Sequence, residues 1–128
     1  MKIYGIGTDI TNINRIKKLI KNKKFIYRIF HKSEINKCNK QKNISNCYAK
    51  RFAAKEAFSK ALGTGLRMNL NFKDIEVMND KMGKPYYVKN IKINKIINKR
   101  FKTKNYQCFL SISDEKKYST AFAIIQTS

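Results

Sequence analysis

Proline occurs once, glycine five times and cysteine three times in 128 residues, which excludes a collagen-like chain, a long coiled coil and a disulfide-built scaffold. Cys38, Cys47 and Cys108 show no C-x-x-C pairing. With the single histidine, His31, they match no common zinc-site spacing, so buried or neutral free thiols are expected. No stretch reaches the roughly 18 apolar residues of a membrane helix. The N-terminus enters a strand-like segment without the apolar block and small-residue cleavage site of a signal peptide. A soluble, reduced, cytoplasmic protein is expected. Linkers, low-complexity tracts and repeats are also lacking, so residues 1–128 read as one domain. Acid is scarce as well: 8 aspartates and glutamates stand against 29 lysines and arginines, a formal charge of +21. That surplus steers an acidic partner toward the chain, whether nucleic acid, anionic membrane or acidic protein, without choosing among them.

What is present is a hydrophobic fraction of 42% with 12% aromatic residues, enough to build a core. Only five of the basic residues are arginine, and lysine, isoleucine and asparagine crowd the chain together. That trio looks like drift in an A/T-biased coding sequence, with lysine accepted wherever a solvated polar residue sufficed. The few arginines and acids therefore carry more information than the lysines.

Met1 to Ile10 reads as a buried strand in which Gly5 and Gly7 mark a close backbone approach or a bend. Thr11 or Asn12 caps a helix with Ile13, Ile16, Leu19 and Ile20 on one stripe and Arg15 off it. Residues 22–44 read as two short helices, the second capped by Ser33. The clearest element is a helix over 46–62, whose stripe of Tyr48, Ala49, Phe52, Ala53, Ala57, Phe58, Ala61 and Leu62 ends at Gly63. Phe72 to Val77 alternates as a strand, residues 79–83 form a turn, and Lys84 to Val88 returns, with Pro85 where no ladder N–H is needed. Ile91, Ile93, Ile96, Ile97 and Phe101 mark a basic amphipathic helix. Tyr106–Ser113 and Tyr118–Gln126 close the chain as an antiparallel hairpin. The class is α+β.

Of the eight acids, Glu34 fits a helix first turn and Asp80 a turn, both solvent roles. Asp9, at the end of a glycine-rich strand, and Glu56, on the best-packed helix, look less incidental. Two carboxylates brought together repel unless a cation lies between them, and Mg2+ accepts one or two carboxylates and completes its shell with water and phosphate oxygens. The plainer alternative has Asp9 capping the next helix and Glu56 paired with Lys55 or Lys60. Lys60 lies four residues after Glu56, on the same helix face. It is either a surface ion pair or, in a phosphate site, the neutraliser of a leaving oxygen. Arg51 has the fork geometry for a more distant phosphate, and Gly63-Thr64-Gly65 lets a ligand approach the backbone.

Gly5-Ile6-Gly7-Thr8-Asp9-Ile10, the block Arg51-Phe52-Ala53-Ala54-Lys55-Glu56-Ala57-Phe58-Ser59-Lys60-Ala61-Leu62-Gly63-Thr64-Gly65, Gly83-Lys84-Pro85 and Ser111-Ile112-Ser113-Asp114 together resemble the holo-acyl-carrier-protein synthase family, in its order and spacing and over nearly the whole chain. The resemblance implies an antiparallel sheet packed with a long central helix, in a homotrimer with active sites between subunits. It implies Mg2+-dependent transfer of 4′-phosphopantetheine from coenzyme A to a serine of acyl carrier protein, serving fatty acid biosynthesis. Carried over by motif position, Asp9 and Glu56 become metal ligands and Lys60 the group that neutralises the leaving bisphosphate. Arg51, Gly63 and Gly65 fall where the family contacts the nucleotide, with Lys84 and Pro85 near it. Glu56 acting through a bound water is the expected base. Arg15 matches a residue that helps dock the acidic carrier, with Lys17, Lys18 and Lys21 beside it. Many family members carry a histidine where this chain has Asp114, so a mechanism based on that histidine does not apply here. Asp114 either contacts coenzyme A or serves the hairpin turn.

Two other readings compete. A nucleic-acid-binding protein would use the charge and the seven tyrosines and eight phenylalanines. The aromatics mostly occupy periodic core positions, however, and no nucleic-acid motif is present. A sister transferase serving a peptide or polyketide synthase would normally carry both halves in one longer chain. Neither a membrane nor a specific nucleic acid is expected as partner.

Overall fold

The computed structural model describes residues 1–64 and 69–128. A long strand, β1 (Ile3–Asn12), leads into three short helices, α1 (Ile13–Leu19), α2 (Lys23–Ile29) and α3 (Lys32–Asn39), and then the long α4 (Ile44–Leu62). A 3₁₀ turn at Phe72–Asp74, the small hairpin β2 (Val77–Asn79) and β3 (Pro85–Tyr87), α5 (Ile91–Phe101) and the hairpin β4 (Tyr106–Asp114) and β5 (Tyr118–Thr127) complete the chain. The three long strands form an antiparallel sheet in the order β1-β5-β4. The α+β class and the antiparallel sheet packed on a central helix are as expected from the sequence.

Helix α4 is the axis of the molecule. Alanines and other strong helix formers fill it. Asn43 caps its start through a bond from the Asn46 N–H, and Gly63 ends it in the left-handed region at φ 77°. It is buried nearly all round because two cores meet on it. One lies against the sheet, α5 and the β2–β3 hairpin, and the other is formed with α1, α2 and α3. The strand β1 lies directly on α4. A Cβ added at Gly5 would stand 1.8 Å from the Ala61 carbonyl oxygen, and one at Gly7 would stand 1.9 Å from that of Ala57. The close backbone approach expected at these glycines is therefore what they provide.

Several local expectations are corrected. The stretch 72–77 is not one strand: only Val77 onward pairs, because the carbonyls of Phe72 and Ile75 accept hydrogen bonds from the Lys55 ammonium and are not offered to a ladder. Helix α3 is capped by His31, not Ser33. The His31 ring nitrogen accepts from the Ser33 N–H while Glu34 accepts from the His31 N–H. Glu34 is in the first turn as expected but is not solvated. It is fully buried and forms a 2.7 Å ion pair with fully buried Lys55, and its second oxygen accepts from the Val77 N–H. Cys38 and Cys47 are not free thiols. The chain doubles back between α3 and α4, placing their Cα atoms 5.4 Å apart, and they form a disulfide; Cys108 is free.

Candidate active site

Positions 5, 7 and 9 of β1 share one face, by the two-residue period of a strand. Since Gly5 and Gly7 face Ala61 and Ala57, Asp9 lies on the face of β1 that packs on α4. There it meets Lys60, whose ammonium lies 3.5 Å from one Asp9 carboxylate oxygen and donates to the Thr8 carbonyl at 3.0 Å. The other Asp9 oxygen accepts from the Thr11 hydroxyl at 2.8 Å, so the carboxylate is held at both ends. Asp9 does not cap α1; Asn12 does, accepting from the Arg15 N–H.

Glu56 completes this corner. Burial, and secondarily the negative charge of Asp9, push its carboxyl above the usual carboxylate range, while Lys60 and Arg15 pull it back. The two carboxylates thus feel each other across the β1–α4 contact, and Glu56 does not pair with Lys55, which Glu34 occupies. Asp9, Glu56, Lys60 and Arg15 converge as a set. Arg15 and Lys18 stand on α1 beside it and line a shallow surface groove with Asn12 and Leu19.

The residues assigned to the nucleotide form a second group. Arg51 precedes Glu56 by five residues and so points about 140° away around the helix. It is 4% exposed, donates to the Asn79 side-chain oxygen at 2.8 Å and the Cys47 sulfur at 3.2 Å, and keeps a buried Nε with no partner among the described residues. Burial lowers its pKa, opposed by the charge of Glu34. A broad cleft beside it is lined by Asn79, Gly83, Pro85 and Asp114 and fringed with lysines. Gly83 turns at φ 87°, in a hairpin that Asp80 closes by accepting from the Met82 and Lys84 N–H groups. Lys84 is not among the residues lining the cleft. The Asp114 carboxylate makes no bond inside the hairpin turn; it accepts from the Asn46 side chain at 2.7 Å, tying β4 to the first turn of α4. Gly63 lies at the opposite end of α4, where Arg100 donates to the Leu62 carbonyl. Gly65 lies outside the described residues.

Three partners were not legible beforehand: Thr11 on Asp9, Asn79 on Arg51 and Asn46 on Asp114. Only Thr11 carries a signal, a hydroxyl two residues on along the same strand face. The others span 28 and 68 residues.

Comparison with known proteins shows the family. The pattern of the 4′-phosphopantetheinyl transferase superfamily matches residues 5–123. The chain is 60% identical over 126 residues to the holo-[acyl-carrier-protein] synthase of Pelagibacter ubique, covering 98% of each chain. Its fold matches the crystal structure of the Neisseria meningitidis synthase with a TM-score of 0.87 at 37% identity, over 98% of this chain and 99% of that one. It also matches the Bacillus anthracis synthase, solved in complex with CoA (3′,5′-ADP), with a TM-score of 0.81 at 37% identity over the whole of both chains. The chain belongs to the 4′-phosphopantetheinyl transferase superfamily, as an enzyme of its holo-[acyl-carrier-protein] synthase family.

Proposed function

We propose that this chain moves 4′-phosphopantetheine from coenzyme A to a serine of acyl carrier protein in the cytoplasm, releasing adenosine 3′,5′-bisphosphate and supporting fatty acid biosynthesis. The observation that carries the reading is the convergence of Asp9, Glu56 and Lys60, with burial first and Asp9 second raising the proton affinity of Glu56. Two hard oxygen donors that repel each other suit Mg2+, which keeps water and phosphate oxygens in the rest of its shell. Asp9 and Glu56 would hold the ion, and when bound it withdraws charge from the diphosphate oxygens that otherwise repel an incoming nucleophile.

The chain's own groups account for the proton and charge movements. The serine oxygen forms a bond to phosphorus as the bond to the bisphosphate oxygen breaks. Glu56, its carboxyl held above the usual carboxylate range by burial and by Asp9, takes the serine proton. Lys60, held by Asp9 and the Thr8 carbonyl, stabilises the departing oxygen. Arg51, with one buried N–H unspent and Asn79 bracing it, binds the nucleotide phosphate, and Pro85 and Asp114 wall that cleft. Arg15 and Lys18 meet the acidic carrier.

A homotrimer fits this division. The outer face of the sheet exposes Ile6 (59%), Ile10 (64%), Phe109 (42%) and Phe122 (42%), an apolar surface of the kind that marks an interface. The family resemblance implies active sites between subunits, and in such an assembly the Arg51 cleft of one chain would serve the carboxylate corner of another. The test is to mix the chain with apo-carrier, coenzyme A and Mg2+ and weigh the carrier. A gain of one phosphopantetheine, absent with chelator, is expected. No gain overturns the reading, and unchanged turnover of Lys60→Ala at saturating substrate removes the leaving-group role.

A further inference from the structure

The Cys38–Cys47 disulfide sits in the wall of the Arg51 cleft. Cys38 is fully buried and Cys47 is 5% exposed, with Cys47 alone of the two lining the cleft. One helical turn beyond Cys47, the Arg51 guanidinium donates to its sulfur at 3.2 Å while its other arm is fixed on Asn79. A disulfide sulfur is a poor acceptor, and a thiolate at the same place is a strong one, because the bond then joins opposite charges. The wider surroundings act the same way. Lys37 from α3, Lys42 before α4, Lys50 on α4 and Lys81 from the β2–β3 turn face the cleft, against Asp80 of that turn and Asp114 of β4. Glu34, behind Arg51, is already paired with Lys55.

We propose that Cys38 and Cys47 form a reversible thiol–disulfide exchange site for low-molecular-weight thiols, in which Cys47 is the sulfur attacked through the cleft and Arg51 holds its thiolate. A small thiolate attacks the Cys47 sulfur, a mixed disulfide forms, and the electron pair of the broken bond leaves with Cys38, which takes up a proton. A second small thiolate attacks the outer sulfur of the mixed disulfide, and the pair leaves with Cys47 as a thiolate against Arg51. Two small thiols become one small disulfide and the protein gains two electrons; the same small disulfide drives the reverse. Coenzyme A is itself a thiol of this class. Resting on the assignment of Arg51 to the nucleotide, the exchange has a consequence. In the reduced chain the charge of Arg51 is matched by Cys47, so adenosine 3′,5′-bisphosphate binds more weakly than to the oxidised chain.

The test follows alkylation by iodoacetamide across pH in the full chain reduced with dithiothreitol, mapping each cysteine by peptide mass. Cys47 is expected to react with a midpoint at least about one pH unit below the ordinary thiol value, and Arg51→Gln to raise it by about as much, with Arg51→Lys retaining most of the effect. Cys108, whose thiol burial pushes up to about 12, is the slow comparator in the same molecule. Oxidised glutathione should then restore the Cys38–Cys47 bond. A Cys47 midpoint at the ordinary value, or one indifferent to both Arg51 variants, overturns the proposal. Calorimetric titration of the oxidised and reduced chain with adenosine 3′,5′-bisphosphate should show about a tenfold loss on reduction, the weight of one charge-assisted bond. A lowered midpoint with unchanged affinity upholds the exchange site and overturns the placement of Arg51 on the nucleotide.

Discussion

Gly7→Ala tests whether the strand-to-helix contact is what builds the carboxylate corner. The added methyl would sit 1.9 Å from the Ala57 carbonyl oxygen and 2.6 Å from the Ala61 nitrogen, both main-chain atoms of a fully packed helix that no rotamer change can move. Carbon approaches a carbonyl oxygen no closer than about 3.3 Å, so β1 must retreat by about 1.4 Å. Forcing a methyl into so tight a contact costs about 1–3 kcal/mol, and the upper end applies here because the obstacle is backbone. Asp9 is two residues on along the same face, so the retreat moves its carboxylate away from Lys60 and Glu56. A displacement of about 1 Å at such a site lowers turnover on the order of a hundredfold. Gly5→Ala makes an equivalent clash, 1.8 Å from the Ala61 oxygen, but four residues from Asp9. The expectation is therefore comparable loss of urea midpoint in both variants, with the larger loss of carrier modification in Gly7→Ala. A Gly7→Ala protein with the parent's midpoint and rate refutes the argument that glycine is required for α4 to be approached, and with it the placing of Asp9.

Glu34→Gln leaves the Lys55 ammonium buried without its counter-charge and should lower stability by about 3–5 kcal/mol in denaturant titration; a shift under about 1 kcal/mol means that the carbonyls of Phe72 and Ile75 suffice to hold the ammonium. Glu56→Gln should abolish transfer yet stabilise the metal-free chain at neutral pH. The folded carboxyl is raised, so ionising it destabilises the fold as pH climbs from the ordinary carboxylate value through the raised one. The stabilisation should vanish in acid below that window, and a thermal scan at two pH values checks it. Arg15→Gln removes a charge that lowers the pKa of Glu56, so the acid limb of the transfer rate should move to higher pH. Arg15→Glu should weaken carrier use most at low salt, with the difference from the parent narrowing as salt screens it.

What was legible in the sequence is what local periodicity and a dense motif record. The 19-residue α4 announces itself through alanines, a cap and a terminal glycine, and the paired glycines ahead of Asp9 signal a backbone contact before its partner is known. Polar residues buried through distant partners leave no local mark in the sequence. Glu34 has the position of a solvated first-turn acid and Lys55 that of a solvated helix lysine. Only tertiary structure, joining residues 21 apart at 2.7 Å, turns both inward. The alternation of 72–77 misleads for the same reason, since it is the Lys55 ammonium that takes the carbonyls a strand would need. The disulfide was hidden because a separation of nine positions between cysteines says nothing until two helices fold back on each other.

The motif that places Arg51 five residues before Glu56 also conceals that the two point apart. A helix turns through about 100° per residue, so adjacency in the block separates Arg51 and its cleft from the carboxylate corner. That separation has a physical use. Asp9 and Glu56 repel each other, whereas Arg51 sits among lysines that also repel each other, and each cluster on its own binds charge of the opposite sign. On the proposed function, a substrate with a diphosphate at one end of its nucleotide and a further phosphate at the other would satisfy both, the first through an ion that Asp9 and Glu56 would hold and the second through Arg51. The apolar outer face of the sheet, exposed at Ile6, Ile10, Phe109 and Phe122, is the remaining unsatisfied surface. If it joins copies of the chain, assembly and substrate binding complete the same site: replacing Phe122 with lysine should yield a monomer that still folds but loses transfer, whereas a monomeric Phe122→Lys variant with full transfer would show that one chain holds the whole site.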